Sequence, residues 1–162
     1  MKKTNALILV VFVFLVFCII TVAGDAKIES KTILDKVEQA RLEKSPAWVL
    51  HRIQEHRTGI VTSSYKWTLE TNYAEIAISV LVSASEAQEH FNQTRSRIPT
   101  EVKTIGDLGD EAFVSQSKPQ SSCMVVVRKT NIVFQVNASD LSQGEKWSRL
   151  VVEQISQSPT SK

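Results

Sequence analysis

The sequence predicts an α+β fold: an antiparallel sheet with helices packed on one face as a two-layer sandwich, preceded by an N-terminal hydrophobic helix. Residues 60–98 and 111–156 share one pattern, in which alternating strands are followed by a capped helix. Amphipathic strands and helices of this kind bury their apolar sides against one another. With 162 residues, the chain is long enough for one ordinary domain.

The first segment has the pattern of an export signal. Lys2 and Lys3 precede residues 6–23, which are apolar at 17 of 18 positions. As a helix this run is about 27 Å long, close to the roughly 30 Å hydrocarbon core of a bilayer. The run exceeds the roughly 7–15 residues of a cleaved signal, and the small residues that follow form only mediocre cleavage sites. Two alternatives remain, a signal peptide over residues 1–24 or a signal-anchor retained in the membrane.

The rest of the chain is neutral and poor in cysteine. From Asp25 onward, 17 basic residues balance 17 acidic ones, so charge gives no argument for nucleic-acid binding. Cys18 lies within the apolar run and lacks the small preceding residues of a lipoprotein acceptor. Cys123 is therefore alone in the exported part, where no internal disulfide can form. We expect a buried strand thiol there, the alternative being a reactive thiol or an intermolecular bridge.

Residues 25–45 are rich in charge, with a narrow apolar stripe at helical spacing. This pattern predicts a solvated juxtamembrane helix or stalk. Ser45 and Pro46 suit the start of a second helix over residues 46–57, although Trp48 and Leu50 also fit a strand pair. The single α+β domain is predicted to occupy residues 46–156.

Apolar and polar residues alternate clearly in the middle of the chain. Strands are predicted at residues 65–69 and 74–82, forming an antiparallel hairpin. Ser83 stands three residues before Glu86, a capping box that opens a helix ended by Pro99.

Further strands are predicted near the C-terminus, at residues 112–116, 123–128 and 131–137. Ser142 and Glu145 repeat the capping-box spacing at the start of a last helix, whose apolar stripe includes Trp147. Residues 157–162 are predicted to be a disordered tail.

A loop motif gives the chain a resemblance. Residues 105–113 read Ile-Gly-Asp-Leu-Gly-Asp-Glu-Ala-Phe, and strands with an Arg128-Lys129 turn follow. This pattern resembles a loose group of bacterial exported domains and lipoproteins, including extracytoplasmic sensor-like domains of some membrane kinases. The resemblance implies an envelope location with mostly undefined ligands, and it transfers no catalytic residue. Thr130 stands where Gly is common in that group, and the lipoprotein Cys is missing.

The acidic residues of this motif have two interpretations. Asp107, Asp110 and Glu111 supply the oxygen ligands that Ca²⁺ prefers, but their spacing lacks the D-x-D-x-D-G pattern of a calcium loop. Gly106 and Gly109 beside Asp are typical of a tight turn. We predict a structural turn and no metal site.

The histidines and nucleophiles form no recognised catalytic motif. His51 and Glu55 share a face if residues 46–57 are helical, but two ligands do not make a metal site. His56 and His90 are predicted to be exposed polar positions. No G-x-S-x-G, P-loop or dinucleotide fingerprint occurs in the sequence, so no catalytic residue and no cofactor are predicted. The strongest enzymatic alternative pairs Ser122 or Cys123 with His51 or His90.

The aromatic residues are the remaining candidates. Trp67 and Trp147 are predicted to pack in the core, whereas Trp48 and Tyr73 are the better candidates for a partly exposed ligand site. We predict a non-enzymatic extracytoplasmic binding or interaction domain, attached to the membrane through residues 6–23. The alternative is a carrier or sensor of a small apolar ligand, which needs a cavity on the order of 300 Å³ between sheet and helices.

Overall fold

The computed structural model describes residues 29–58, 60–116 and 122–158, which form seven strands and three helices. The predicted leader over residues 1–24 and its hydrophobic helix lie outside these residues. Within the described part, no helix is both long and apolar enough to cross a membrane. In chain order the elements are α1 Ser30–Lys44, β1 Val49–Thr58, β2 Ile60–Leu69, β3 Asn72–Val80, α2 Ala84–Arg97, β4 Val102–Thr104, β5 Glu111–Gln116, β6 Cys123–Lys129, β7 Ile132–Ala138 and α3 Leu141–Ser156.

The strands form one sheet in the order β1-β2-β3-β7-β6-β5-β4, and every neighbouring pair is antiparallel. Tight turns join β2 to β3 and β6 to β7, as the alternation of apolar residues predicts. At the centre β3 pairs with β7, where Ile78 lies opposite Phe134. The predicted α+β class with an antiparallel sheet is confirmed.

The helices cover both faces of the sheet, so the prediction of helices on one face is wrong. Val125 and Val127 of β6 belong to the main core with residues of α1 and α3. Val126, which points to the opposite face, packs in a second core with Phe91 of α2. The physical reason is that β5, β6 and β7 are apolar on both faces, and an apolar face requires a cover.

α1 is part of the folded domain. Ile33, Leu34 and Val37 have no exposed surface and lie in the main core. The hydroxyls of Ser30 and Ser63 are hydrogen-bonded at 2.8 Å, which joins the start of α1 to β2. The prediction of a solvated stalk over residues 25–45 is therefore wrong for the described part of that segment, because its narrow stripe is covered by the sheet.

Residues 46–57 do not form the predicted helix. They lead into β1, which pairs with β2 over its whole length, so that Leu50 lies opposite Trp67 and Ile53 opposite Tyr65. A register shift between Leu50 and Arg52 marks a bulge near the start of the strand. The alternative of a strand pair was the correct interpretation, because pairing with β2 satisfies the backbone that a short isolated helix leaves to water.

The helix caps agree in part with the capping-box predictions. The Ser83 hydroxyl accepts a hydrogen bond from the Glu86 N–H at 3.1 Å, as predicted. α3, however, begins at Leu141 because the Asp140 carboxylate accepts from the Gln143 N–H at 2.9 Å, in place of Ser142. The first residues of the predicted tail are ordered, since Ser158 is buried and its hydroxyl accepts from Lys36 Nζ at 2.9 Å.

Candidate functional site

A buried arginine organises the end of α1. Arg41 is only 4% exposed, and its guanidinium forms an ion pair with Glu38. It also donates to the backbone carbonyls of Trp48 at 2.5 Å and Pro46 at 3.3 Å. Glu38 accepts in addition from Trp67 Nε1 at 2.5 Å. A buried charge with this many partners is satisfied, and it fixes the loop between α1 and β1 in one conformation.

The three tryptophans of the chain meet beside this arginine. Trp147 of α3 stacks on Trp67 of β2, with ring centroids 4.7 Å apart and an interplanar angle of 28°. Trp48 meets Trp147 edge to face at 5.3 Å and 80°. Trp67 and Trp147 are buried, as predicted, and Trp48 is buried as well, contrary to the prediction of partial exposure. The cluster is a rigid aromatic wall, because each ring is held by the next.

A cavity of about 210 Å³ lies against this wall, between the end of α1 and α3. We call it the tryptophan pocket. Trp48, Trp147 and Leu150 form its apolar floor. Six side chains form its rim, most of them cationic: Arg41, Lys44, Ser45, Lys146, Arg149 and Glu153. An apolar cavity of about 150 Å³ is known to hold benzene, so this cavity is large enough for one ring with a small substituent.

The rim carries more positive than negative charge. Lys44 pairs with Glu153 at 2.8 Å, and Arg41 is occupied by Glu38. Within the described residues, Lys146 and Arg149 form no ion pair with a carboxylate. Lys146 Nζ lies 3.5 Å from the Ser45 hydroxyl, and Arg149 donates to the Asp107 carbonyl at 3.2 Å. Two cations therefore lie beside the apolar floor with no carboxylate of the described residues paired to them.

Comparison with known proteins assigns no role to this pocket. No family model matches the chain, and no curated protein matches it. The class of its ligand therefore has to be inferred from the lining side chains, which are indole, aliphatic and mostly cationic, with one hydroxyl and one carboxylate.

The acidic residues of the loop hold the turn between β6 and β7 through hydrogen bonds and ion pairs. The Asp110 carboxylate accepts from the Thr130 N–H at 2.6 Å and from Lys129 Nζ at 3.0 Å. Glu111 pairs with Arg128 at 3.1 Å. Across the described residues, no group of three or more His, Cys, Asp or Glu side chains is arranged to hold a metal ion. The loop thus pins the turn between β6 and β7 to the start of β5, as the structural-turn interpretation expects.

The pKa of Asp110 reflects these contacts. Burial by itself raises the pKa, but the Thr130 N–H and the charges of Lys129 and Arg128 outweigh burial and hold the pKa below the ordinary value. The carboxylate is therefore stabilised as an anion by groups of the turn.

Cys123 is a buried free thiol on β6, the position that the sequence indicates. Its sulfur donates to the Asp140 carbonyl at 3.1 Å, and burial raises its pKa to about 11. A Cβ atom added at Gly144 would approach this sulfur to 2.6 Å, so the thiol fills space against α3. A thiol with a raised pKa is a poor nucleophile at neutral pH.

The histidines take separate positions. His51 lies exposed on β1, and His90 is half-buried on α2. Because residues 51–55 are extended, His51 and Glu55 are separated by about 13 Å along the strand and do not share a helical face. His56 also lies in β1, but its side chain is outside the described part of the structure.

Tyr73 borders a different cavity. It is half-buried on β3, on the face of the sheet that α2 partly covers, and lines a space of about 360 Å³ together with Arg97, Met124 and Asn137. This space is more open than the tryptophan pocket, and Arg97 is the single cation among its described lining residues. Of the two residues predicted for a partly exposed ligand site, Tyr73 has the predicted partial exposure and Trp48 does not, and they line separate cavities.

Four cationic side chains that line the cavity were missed at the level of sequence: Arg41, Lys44, Lys146 and Arg149. One signal was present, since Lys146 and Arg149 flank the apolar stripe of Trp147 and Leu150 on the last helix. That pattern is also typical of an ordinary amphipathic helix. Only the packing of α1 beside α3 distinguishes a pocket rim from the polar side of an ordinary amphipathic helix.

Proposed function

We propose that the chain is a non-enzymatic binding domain that acts outside the cytoplasm and is held at the membrane through residues 6–23. The observation that carries the binding role is the pocket over Trp48 and Trp147, because a concave apolar floor with a few polar groups at its rim is the usual form of a small-molecule site. The tether rests on the apolar run behind Lys2 and Lys3.

The lining of the pocket favours binding over turnover. Ser45 supplies its hydroxyl, and the nearest candidate base is Lys146 at 3.5 Å. A lysine that activates a nucleophile is normally desolvated, whereas Lys146 is exposed. The remaining side chains supply surface and charge.

A carrier or sensor of a small apolar ligand is the second candidate. The apolar floor of indole and leucine side chains supports it. The volume of about 210 Å³ is below the roughly 300 Å³ of common ligand sites, so a ligand on this scale is small.

The tether is tested by fractionating cells that express the full chain with a C-terminal tag. We expect the protein in the membrane fraction with its tag on the outer side, accessible to added protease, and with the intact mass of the uncleaved chain. Release of a shorter product to the periplasm or medium would refute the tether and leave the location outside the cytoplasm intact. A cytosolic product would refute both.

The pocket is tested by the intrinsic fluorescence of the protein. All three tryptophans belong to the cluster, so a ligand in the cavity changes the total emission. The screen consists of one-ring compounds that are neutral, anionic or cationic. Leu150→Phe, which fills the cavity, is expected to weaken binding at least tenfold, whereas Tyr73→Phe in the other cavity leaves binding unchanged. Absence of saturable binding by any compound would refute the proposed site.

A further inference from the structure

We infer that the tryptophan pocket selects a small organic anion, a single ring or short branched chain that bears one carboxylate. This inference rests on the proposed function, because it names the ligand class of the same site. The inference is based on an apolar floor beside two cations, Lys146 and Arg149, that form no ion pair within the described part of the chain.

The floor sets the size of the apolar part. Trp48 and Trp147 meet edge to face, and both residues line the cavity. A flat ring packs well against such a corner, since aromatic rings prefer offset or edge-to-face contacts. The volume of about 210 Å³ admits one ring and a short arm.

The rim of the pocket determines which ligand charge is preferred. Lys146 and Arg149 are three residues apart on α3 and therefore lie on the same side of the helix. The guanidinium of Arg149 presents a fork of donors that matches a carboxylate, and one of its donors is already held by the Asp107 carbonyl at 3.2 Å. A guanidinium with a fixed orientation loses less entropy when it binds an anion.

The acidic group at the rim does not cancel this preference. Glu153 is paired with Lys44 at 2.8 Å, so its charge is neutralised by a cation on the opposite helix. A cationic ligand would meet Lys146 and Arg149 as like charges, and a neutral ligand would gain only the weaker hydrogen bonds of an uncharged acceptor. The ranking expected at this site is anion, then neutral analogue, then cation.

Three probes of nearly equal shape test the ranking: phenylacetate, phenylacetamide and phenethylamine. In fluorescence titrations of the full chain at low salt, phenylacetate is expected to bind at least tenfold more tightly than phenylacetamide, with phenethylamine weakest. The preference for the anion should shrink as salt is added, because the cations at the rim are exposed.

Paired variants assign the preference to the rim. Lys146→Gln with Arg149→Gln is expected to reduce the ratio of phenylacetate to phenylacetamide affinity to less than threefold, with phenylacetamide binding unchanged. Arg95→Gln with Lys103→Gln removes the same charge at exposed positions on α2 and β4 and should keep the tenfold ratio.

Each result decides a different claim. Equal binding of phenylacetate and phenylacetamide would overturn the inferred anion class while the pocket remains a binding site. A tenfold ratio that persists in the Lys146 and Arg149 double variant would also overturn it. If none of the three probes binds, the inferred class is wrong, and the wider one-ring screen then decides whether the pocket binds anything.

Discussion

Gly109 is the residue of the acidic loop that tolerates a side chain least. Its φ of +69° lies in the left-handed region, and an added Cβ would come within 2.6 Å of both the Arg128 carbonyl oxygen and Val127 Cγ1. The position therefore needs glycine for its conformation and for the close approach of β6. Gly109 of the loop motif therefore has a structural explanation.

Gly109→Ala is expected to lower the free energy of unfolding by about 2–4 kcal/mol, from backbone strain and displacement of the strand together. Gly106→Ala is the matched control, because no atom lies within 4 Å of its added Cβ. Urea denaturation of both variants measures the difference. Equal stability of the two variants would contradict this account of the loop.

Asp110 makes stability depend on pH. Its pKa in the folded protein is below the ordinary value of 3.8, so the ionised carboxylate stabilises the fold above that pH. The contribution is lost as the pH falls through the lowered pKa.

Asp110→Asn is therefore expected to cost up to about 1 kcal/mol at neutral pH and to reduce the loss of stability below about pH 4. Asp107→Asn is the control, since that carboxylate has no cation partner among the described residues. Thermal melts between pH 2.5 and pH 7 compare the slopes. A wild-type slope in Asp110→Asn would show that the carboxylate contributes nothing.

At the scale of elements, the burial of α1 predicts where the folded domain begins. Ile33, Leu34 and Val37 are fully buried, and burying each side chain contributes about 1.5–3 kcal/mol. Their sum is comparable to the whole stability of a typical domain, about 5–15 kcal/mol.

A chain that begins at residue 29 is expected to fold, whereas one that begins at residue 46 is expected to lack a cooperative unfolding transition. Circular dichroism during heating distinguishes them. A cooperative melt of the shorter chain would restore the interpretation of α1 as a dispensable stalk.

The elements that the sequence predicted well are those whose apolar pattern has one meaning. Tyr65, Trp67 and Leu69 alternate, and β2 contains them. Residues 46–57 were ambiguous because Val49, Leu50 and Ile53 fit one helical face, whereas Trp48 and Leu50 also fit a strand. The ambiguity is resolved by β2, which supplies hydrogen-bond partners that no local pattern reveals.

The side of the sheet on which a helix packs was less predictable. The run Val125-Val126-Val127 shows that both faces of β6 are buried, and this was the available sign of a second helix layer. The capping residues of α2 indicated where that helix starts but contain no information about its side. The pocket was still harder to predict from the sequence, because two of its lining residues, Lys44 and Glu153, are 109 residues apart.

At the scale of the whole molecule, α1 and α3 close one face of the sheet from opposite ends of the described chain. Their contact closes a loop of the chain that contains all seven described strands and α2. Such non-local contacts slow folding, since loop closure precedes the gain from packing.

This arrangement has a consequence for biosynthesis. At a translation rate of about 5–20 residues per second, the 109 residues between Lys44 and Glu153 take roughly 5–20 s to synthesise. For that interval the apolar stripe of α1 has no α3 to pack against and is open to a holding chaperone. The contact between the first and the last of the described helices is therefore made only after nearly the whole described chain has been synthesised.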